Sequence, residues 1–164
     1  YEGGRPEEGA EVAERMAAAT GLEVREWRDL FPRYEEMWKM GARGYAYVYF
    51  SDYAARFPED AIALNYMAWL VATAPPDELS HARRDEWPKA ALQWVELARK
   101  KDDGPFAGVW DVLGAARATA GDFSGAVRAA EKAQDLAREK GDDALVEEIE
   151  KHIMSYRMGL PWRE

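Results

Sequence analysis

The chain has 164 residues, 48% of them apolar, which is enough to bury a core in one compact domain or a short repeat array. A net charge of −9, with Asp and Glu spread along the whole length, argues against a duplex or phosphate-backbone binder, which needs a basic stripe. The absence of cysteine excludes thiolate catalysis, cysteine-ligated zinc and disulfide bridges, and it leaves cytosolic and exported compartments equally open.

Alanine is abundant, apolar residues recur at spacings of three and four, and Gly and Pro fall between such segments, so the chain reads as helical throughout. A first helix is expected from about Pro6 to Ala19, with Ala10, Ala13, Met16 and Ala17 on one face and Gly21 as its stop. A second runs from about Val24 to Met40 and carries Trp27, Leu30, Phe31, Tyr34, Met37 and Trp38. Pro32 should kink or restart it, because proline removes an intrahelical donor. Gly41 and Gly44 make the next turn.

Residues 45–56 carry two patterns at once. Tyr45, Tyr47 and Tyr49 alternate as in a strand, whereas Ala46, Phe50 and Tyr53 recur at helical spacing. Helix is favoured, because an isolated strand would find no partner elsewhere in the chain. Pro58 closes this segment. Ala61–Thr73 follows as a helix with Pro75 and Pro76 just beyond it, and the polar stretch within 75–86 reads as an inserted loop. Trp87–Lys101 is helical and ends at Asp102-Asp103-Gly104-Pro105. Phe106–Ala120, Phe123–Lys140 and Asp142–Met158 complete the series, with Gly121 and Gly141 as left-handed stops between them. No apolar run approaches the roughly 20 residues of a membrane helix. The chain starts at Tyr1 instead of Met and lacks a basic, apolar targeting segment, so it reads as a processed or excised piece of a longer product.

The pair of helices from Ala107 to Lys140 carries a motif. Trp110, Leu113 and Gly114 stand at the spacing Trp, two residues, Leu-Gly; Gly121 sits at the turn, Phe123 follows, and Ala126 and Ala133 take the small positions of the second helix. Upstream, Ala46, Phe50 and Pro58 form an Ala-x3-Phe…Pro series. Counting on from Pro58 puts Leu64, Met67 and Ala68 at the Trp, Leu and Gly positions of a further unit, whose partner helix carries Ala91, Val95 and Ala98. The chemistry of such a pattern is steric: Gly114 and Ala126 are small where two helices of a hairpin cross closely.

These residues resemble the tetratricopeptide repeat family over roughly Tyr45 onward, and more loosely over residues 1–44. Arg117, Ala130 and Arg138 depart from the Tyr, Phe and Pro of the pattern. The stretch Leu64–Ala74 followed by Pro-Pro-Asp, and the ending Tyr156-Arg157-Met158-Gly159-Leu160-Pro161-Trp162-Arg163-Glu164, look like the final repeats of large bacterial members. The resemblance implies an all-α, right-handed superhelix of about three antiparallel helix pairs. Residues 1–44 would be degenerate repeat helices, 45–140 repeats with the inserted loop, and 141–164 a capping helix and tail. It implies a true C-terminus at Glu164 and a cap whose Leu145, Ile149, His152 or Ile153 and Tyr156 cover the last hairpin, leaving Glu147, Glu148 and Lys151 to solvent. The opening run Tyr1–Glu8 reads as part of an earlier repeat, so further repeats are expected upstream.

Nothing titratable converges as a catalytic site requires. The two histidines, His81 and His152, lie far apart and in no metal-ligand spacing, so polar or core roles suit them better. Asp102-Asp103 and Asp142-Asp143 are better explained by helix capping than by acid catalysis. Gly3-Gly4 and Gly41-x-x-Gly44 lack the flanking residues of a phosphate loop. No cofactor or metal is implied.

In such an array the concave groove is lined by first-helix residues that do not pack on the second helix. Here these would be Arg28, Phe31, Glu35, Trp38 and Lys39 in the degenerate helix, Asn65, Trp69, Ala72 and Thr73 in the next, and Gly108, Asp111, Ala115 and Ala118 in the last hairpin. Trp38 and Trp69 either anchor a guest peptide or pack under neighbouring helices; both readings stand. Of the paired Lys and Asn that hold a peptide carboxylate in some members, only Asn65 matches. Small Gly108, Ala115 and Ala118 would leave the groove open towards its C-terminal end. The expected function is a non-catalytic scaffold binding a peptide or protein segment, with no nucleic acid and no direct membrane insertion. The alternatives are a structural subunit packed permanently in a larger assembly, or an accessory domain of a longer multidomain protein.

Overall fold

The computed structural model describes residues 31–41, 43–75, 85–101 and 106–163. Among these residues every regular element is an α-helix and there is no strand. The helices are α1 (Phe31–Lys39), α2 (Arg43–Arg56), α3 (Ala61–Thr73), α4 (Trp87–Lys101), α5 (Ala107–Thr119), α6 (Phe123–Lys140) and α7 (Asp143–Arg157). The helix expected at Pro6–Ala19, the early part of the second helix with Arg28, His81 in the inserted loop, and Asp102-Asp103 lie outside the described residues. No described helix is long and apolar enough to cross a membrane.

The described residues divide into two compact units, one within 31–58 and the other from 59 onward. The first holds α1 and α2, which pack on one another, and the second holds α3 to α7. In that first unit, α2 settles the two-pattern segment as helix. Ala46, Phe50 and Tyr53 form its buried stripe, but Tyr47 and Tyr49 are buried as well, which is why the sequence alternates there. Tyr49 stacks on Tyr34 with ring centroids 3.5 Å apart, and Trp38 packs against Phe50 at 5.7 Å. Burial pushes the Tyr49 phenol well above its ordinary range, with Tyr34, Tyr53 and Asp52 acting in the same direction, so it stays neutral.

The second unit is a series of helices joined by tight, capped turns. Asp60, Asp122 and Asp142 cap α3, α6 and α7, each carboxylate accepting from a backbone N–H three residues on, at 3.2, 2.9 and 3.1 Å. Gly121 and Gly141 take the positive φ values of 87° and 72° that end α5 and α6. Short turns make α5 and α6 antiparallel neighbours, and α6 and α7 likewise. Helix α3 packs on α4 and also directly on α5, so the first helix of one pair touches the first helix of the next. Leu64, Met67, Ala68, Ala91, Val95, Ala98, Leu113, Ala126, Ala130 and Ala133 are all buried in this unit. Small side chains at the crossings let the backbones approach. A Cβ on Gly114 would stand 3.2 Å from the Ala126 carbonyl oxygen on α6 and 3.4 Å from the Tyr156 ring on α7.

The cap of α6 sets an acid dependence. The Gly125 N–H, with Ser124 and the charges of Arg117 and Arg128 behind it, holds the Asp122 carboxyl below its ordinary value of 3.8. A depressed folded-state value means that this stabilisation is present above the unfolded value and fades as pH falls through the folded one. Asp122→Ala is expected to cost about 1 kcal/mol near neutrality and to lose that difference from the parent below pH 3.8. Thermal unfolding at both pH values checks it; an unchanged gap in acid would count against the cap.

Candidate functional site

The second unit presents a concavity of about 850 Å³ between α3 and α5, with Glu148 of α7 at its edge. From α3 it is lined by Ala61, Ile62, Asn65, Tyr66 and Trp69; from the start of α5 by Phe106, Gly108, Val109, Asp111 and Val112. The lining is mostly apolar, and Ile62 and Phe106 stand 86% and 51% exposed at its margin. An isoleucine so exposed gains nothing in the isolated chain, and fully burying one stabilises by about 1.5–3 kcal/mol. Phe106 is held in place by the Lys140 ammonium, 4.4 Å from its ring centroid.

Two polar groups fix the chemistry. The Oδ1 atom of Asn65 is buried with no hydrogen-bond partner. Asp111, 6% exposed, accepts from Nδ1–H of the fully buried His152 at 2.9 Å. The other imidazole nitrogen, Nε2, has no protein partner. The His152 ring lies 5.6 Å from Trp69 and 4.6 Å from Trp162, in contact with both indoles. Burial, then the nearby Asp111 charge, raises the Tyr156 phenol well above its ordinary range, against a smaller opposing pull from Arg163. Among the described residues no group of three or more His, Asp or Glu is placed to hold a metal.

Four of the residues expected in the groove, Asn65, Trp69, Gly108 and Asp111, are brought together here. The others are placed elsewhere. Thr73 is 2% exposed, and its hydroxyl donates to the Trp69 carbonyl one turn back, which satisfies it inside its own helix. Ala72, Ala115 and Ala118 are also buried, so the groove is not open at its C-terminal end. Trp38 is 4% exposed in the first unit, packed on Phe50 and beneath the Arg43 guanidinium, because aromatic surface there is closed by α2. Lys39 is exposed and pairs with Glu35 within α1. Arg28 lies outside the described residues.

What covers the C-terminal end is the segment after α7. Gly159 (φ 72°) reverses the chain, with Leu160 N–H donating to the Ser155 carbonyl at 3.0 Å and the Ser155 hydroxyl donating to the Leu160 carbonyl at 3.0 Å. Trp162 then packs on His152, and Arg163 reaches the end of α3. Its Nη1 donates to the carbonyls of Ala72 and Ala74 at 2.8 and 2.9 Å, and lies 3.5 Å from the Thr119 hydroxyl oxygen. Thr119 in turn donates to the Ala72 carbonyl at 2.6 Å. A cation on the unpaired carbonyls of a helix C-terminus is favourable twice over, by hydrogen bonding and by the helix dipole. Desolvation nonetheless lowers the Arg163 pKa from its ordinary value, with Tyr156 opposing. Comparison with family models, curated proteins and solved structures returns no match.

Proposed function

We propose that the second unit is built as tetratricopeptide-like helix pairs within a right-handed superhelix, and that its α3–α5 concavity holds a segment of another protein without chemical change. The repeat reading is supported by Met67 and Leu113, Ala68 and Gly114 buried at corresponding places on α3 and α5, and by the direct packing of those two helices. The binding reading rests above all on Asn65. A buried, unpartnered amide oxygen costs about 1–3 kcal/mol, and a backbone N–H of a guest segment entering the concavity would supply its partner. Beside it, Ile62 offers apolar area and Glu148 a carboxylate, while no Lys or Arg is among the described lining residues. Together with the net charge of −9, this favours a guest that combines an apolar side chain with a basic one.

Peptides selected from a random library on the immobilised chain test the reading. Ile62→Asp is expected to weaken the selected peptides about 10- to 100-fold, in keeping with the loss of a buried aliphatic anchor. Asn65→Ala is expected to weaken them about tenfold while leaving the free protein as stable or more so, since it removes an unsatisfied acceptor. Selection of no peptide, or of peptides indifferent to both substitutions, would overturn the proposal and favour a face packed permanently in a larger assembly.

A further inference from the structure

The C-terminal half of the same concave face is already filled, and its occupant belongs to the chain itself. Pro161, Trp162 and Arg163 follow the left-handed turn at Gly159 and are partly buried although they belong to no helix. Two recognition elements hold them. The first is aromatic: Trp162 packs 4.6 Å from the buried His152 ring, which also faces Trp69. The second is a cage of oxygens, formed by the Ala72 and Ala74 carbonyls and the Thr119 hydroxyl, all within 3.5 Å of Arg163 Nη1. The cage exists independently of the arginine, because it is the C-terminal end of α3 braced by Thr119 of α5. Trp162 also packs against the buried cluster that includes Ala118 of α5 and Tyr156 of α7.

We infer that this half of the face is a receptor for a Pro-aromatic-Arg segment, that residues 160–163 occupy it in cis, and that a partner carrying the same chemistry takes their place. The inference rests on reading the concave face as peptide-binding, and it concerns the seat beside the open concavity. Several features favour an exchangeable occupant over a permanent brace. The segment makes no regular secondary structure, Leu160 at its start is 54% exposed, and the Trp162 Nε1 atom is buried without a hydrogen-bond partner. Release of the segment returns that donor to water. A tethered occupant acts at an effective concentration in the millimolar range, so it masks the seat from weak ligands and yields to strong ones. The apparent affinity of any competitor is reduced by the fraction of molecules whose seat is closed.

The test keeps the full chain and vacates the seat with the double substitution Trp162→Ala and Arg163→Ala. A dye-labelled peptide, Gly-Leu-Pro-Trp-Arg-Glu, is added in trans and followed by fluorescence anisotropy. It is expected to bind the double variant at least about tenfold more tightly than the parent. Replacing its Arg by Ala is expected to lose at least about tenfold, because the three oxygens around Nη1 then face no cation. Equal binding to parent and variant, or indifference to this Arg-to-Ala change, overturns the inference. Should the double variant lose helicity, the parent itself serves: the chain has no cysteine, so Glu164→Cys carries a unique dye. Excess unlabelled peptide must then increase the mobility of that dye, and an unchanged signal is equally fatal. A dimer of the parent with exchanged segments would name a second copy as the occupant and overturn the assignment to a separate partner. Ile62→Asp and Asn65→Ala should leave this peptide's binding unchanged. Failure here with library peptides still binding the open concavity would therefore sink this inference alone.

Discussion

Gly114→Val is expected to lower the melting temperature of the second unit by about 6–12 °C. The reason is where the new atoms must go. The first Cβ would already stand 3.2 Å from the Ala126 carbonyl oxygen, 3.4 Å from Tyr156 Cε2 and 3.5 Å from the Ala130 Cβ. The Ala126 oxygen is backbone, Tyr156 is 1% exposed, and Ala130 is fully buried, so none of the three can swing aside. Helix propensity favours alanine over glycine by about 1 kcal/mol, which roughly offsets the tightness of a lone methyl; Gly114→Ala should lie within about 1 kcal/mol of the parent. Valine adds two more carbons with no such offset, and overpacking of this kind costs about 1–3 kcal/mol or more. Thermal unfolding of both variants decides the matter. A valine variant that melts with the parent would mean that α5, α6 and α7 do not converge on position 114.

The second large effect is expected at His152. The imidazole is fully buried, donates to Asp111 and touches both Trp69 and Trp162. His152→Ala removes the partner of a 6% exposed carboxylate and leaves a void beside both indoles. Breaking a buried pair from one side costs about 3–5 kcal/mol, and the collapse of the Trp162 seat should release the segment after α7 as well. Asp111→Asn separates charge from hydrogen bonding. The carbonyl of asparagine still accepts from Nδ1–H, so if the bond is between neutral imidazole and carboxylate the loss stays near 1 kcal/mol. Chemical denaturation of the two variants reads the difference directly. Equal losses for both would show that the pair is ionic and that its charge, more than its hydrogen bond, holds α7 on α5.

Local signals carried the elements well. The limits of α3 and α6 follow from residues that act over one turn: Asp60 and Asp122 as caps, the Gly141 stop, and proline beyond α3. Four of the eleven lining residues were legible for a similar reason, since Asn65, Trp69, Gly108 and Asp111 lie on first-helix faces that motif spacing identifies. The rest was not. Thr73 shares the face of Trp69, yet it lies at the helix end where Arg163 and Thr119 close over the backbone. Ala115 and Ala118 looked like open floor because their size was read without their cover. No periodicity marks where an irregular segment such as 158–163 comes to rest. The pairing of His152 with Asp111 spans two helices that do not adjoin in sequence, so spacing could not reveal it. In the first unit, Trp38 was undecided between groove and core, and α2 tips it into the core with Phe50 against its ring.

The bond from Arg163 to Ala72 joins residues 91 positions apart. Stacked helical pairs ordinarily behave as a one-dimensional chain in which each member feels only its neighbours, and such chains come apart from their ends. Here Arg163, beyond α7, is tied back to the end of α3, so the two outer helices of the unit are linked directly. The second unit is thereby closer to a ring than to a rod in its connectivity, and its loosening is expected to be a concerted event instead of a peeling from α7 inward. A guest that releases Arg163 would open that ring, turning the arrival of a ligand at one face into a change in cooperativity across all five helices, α3 to α7.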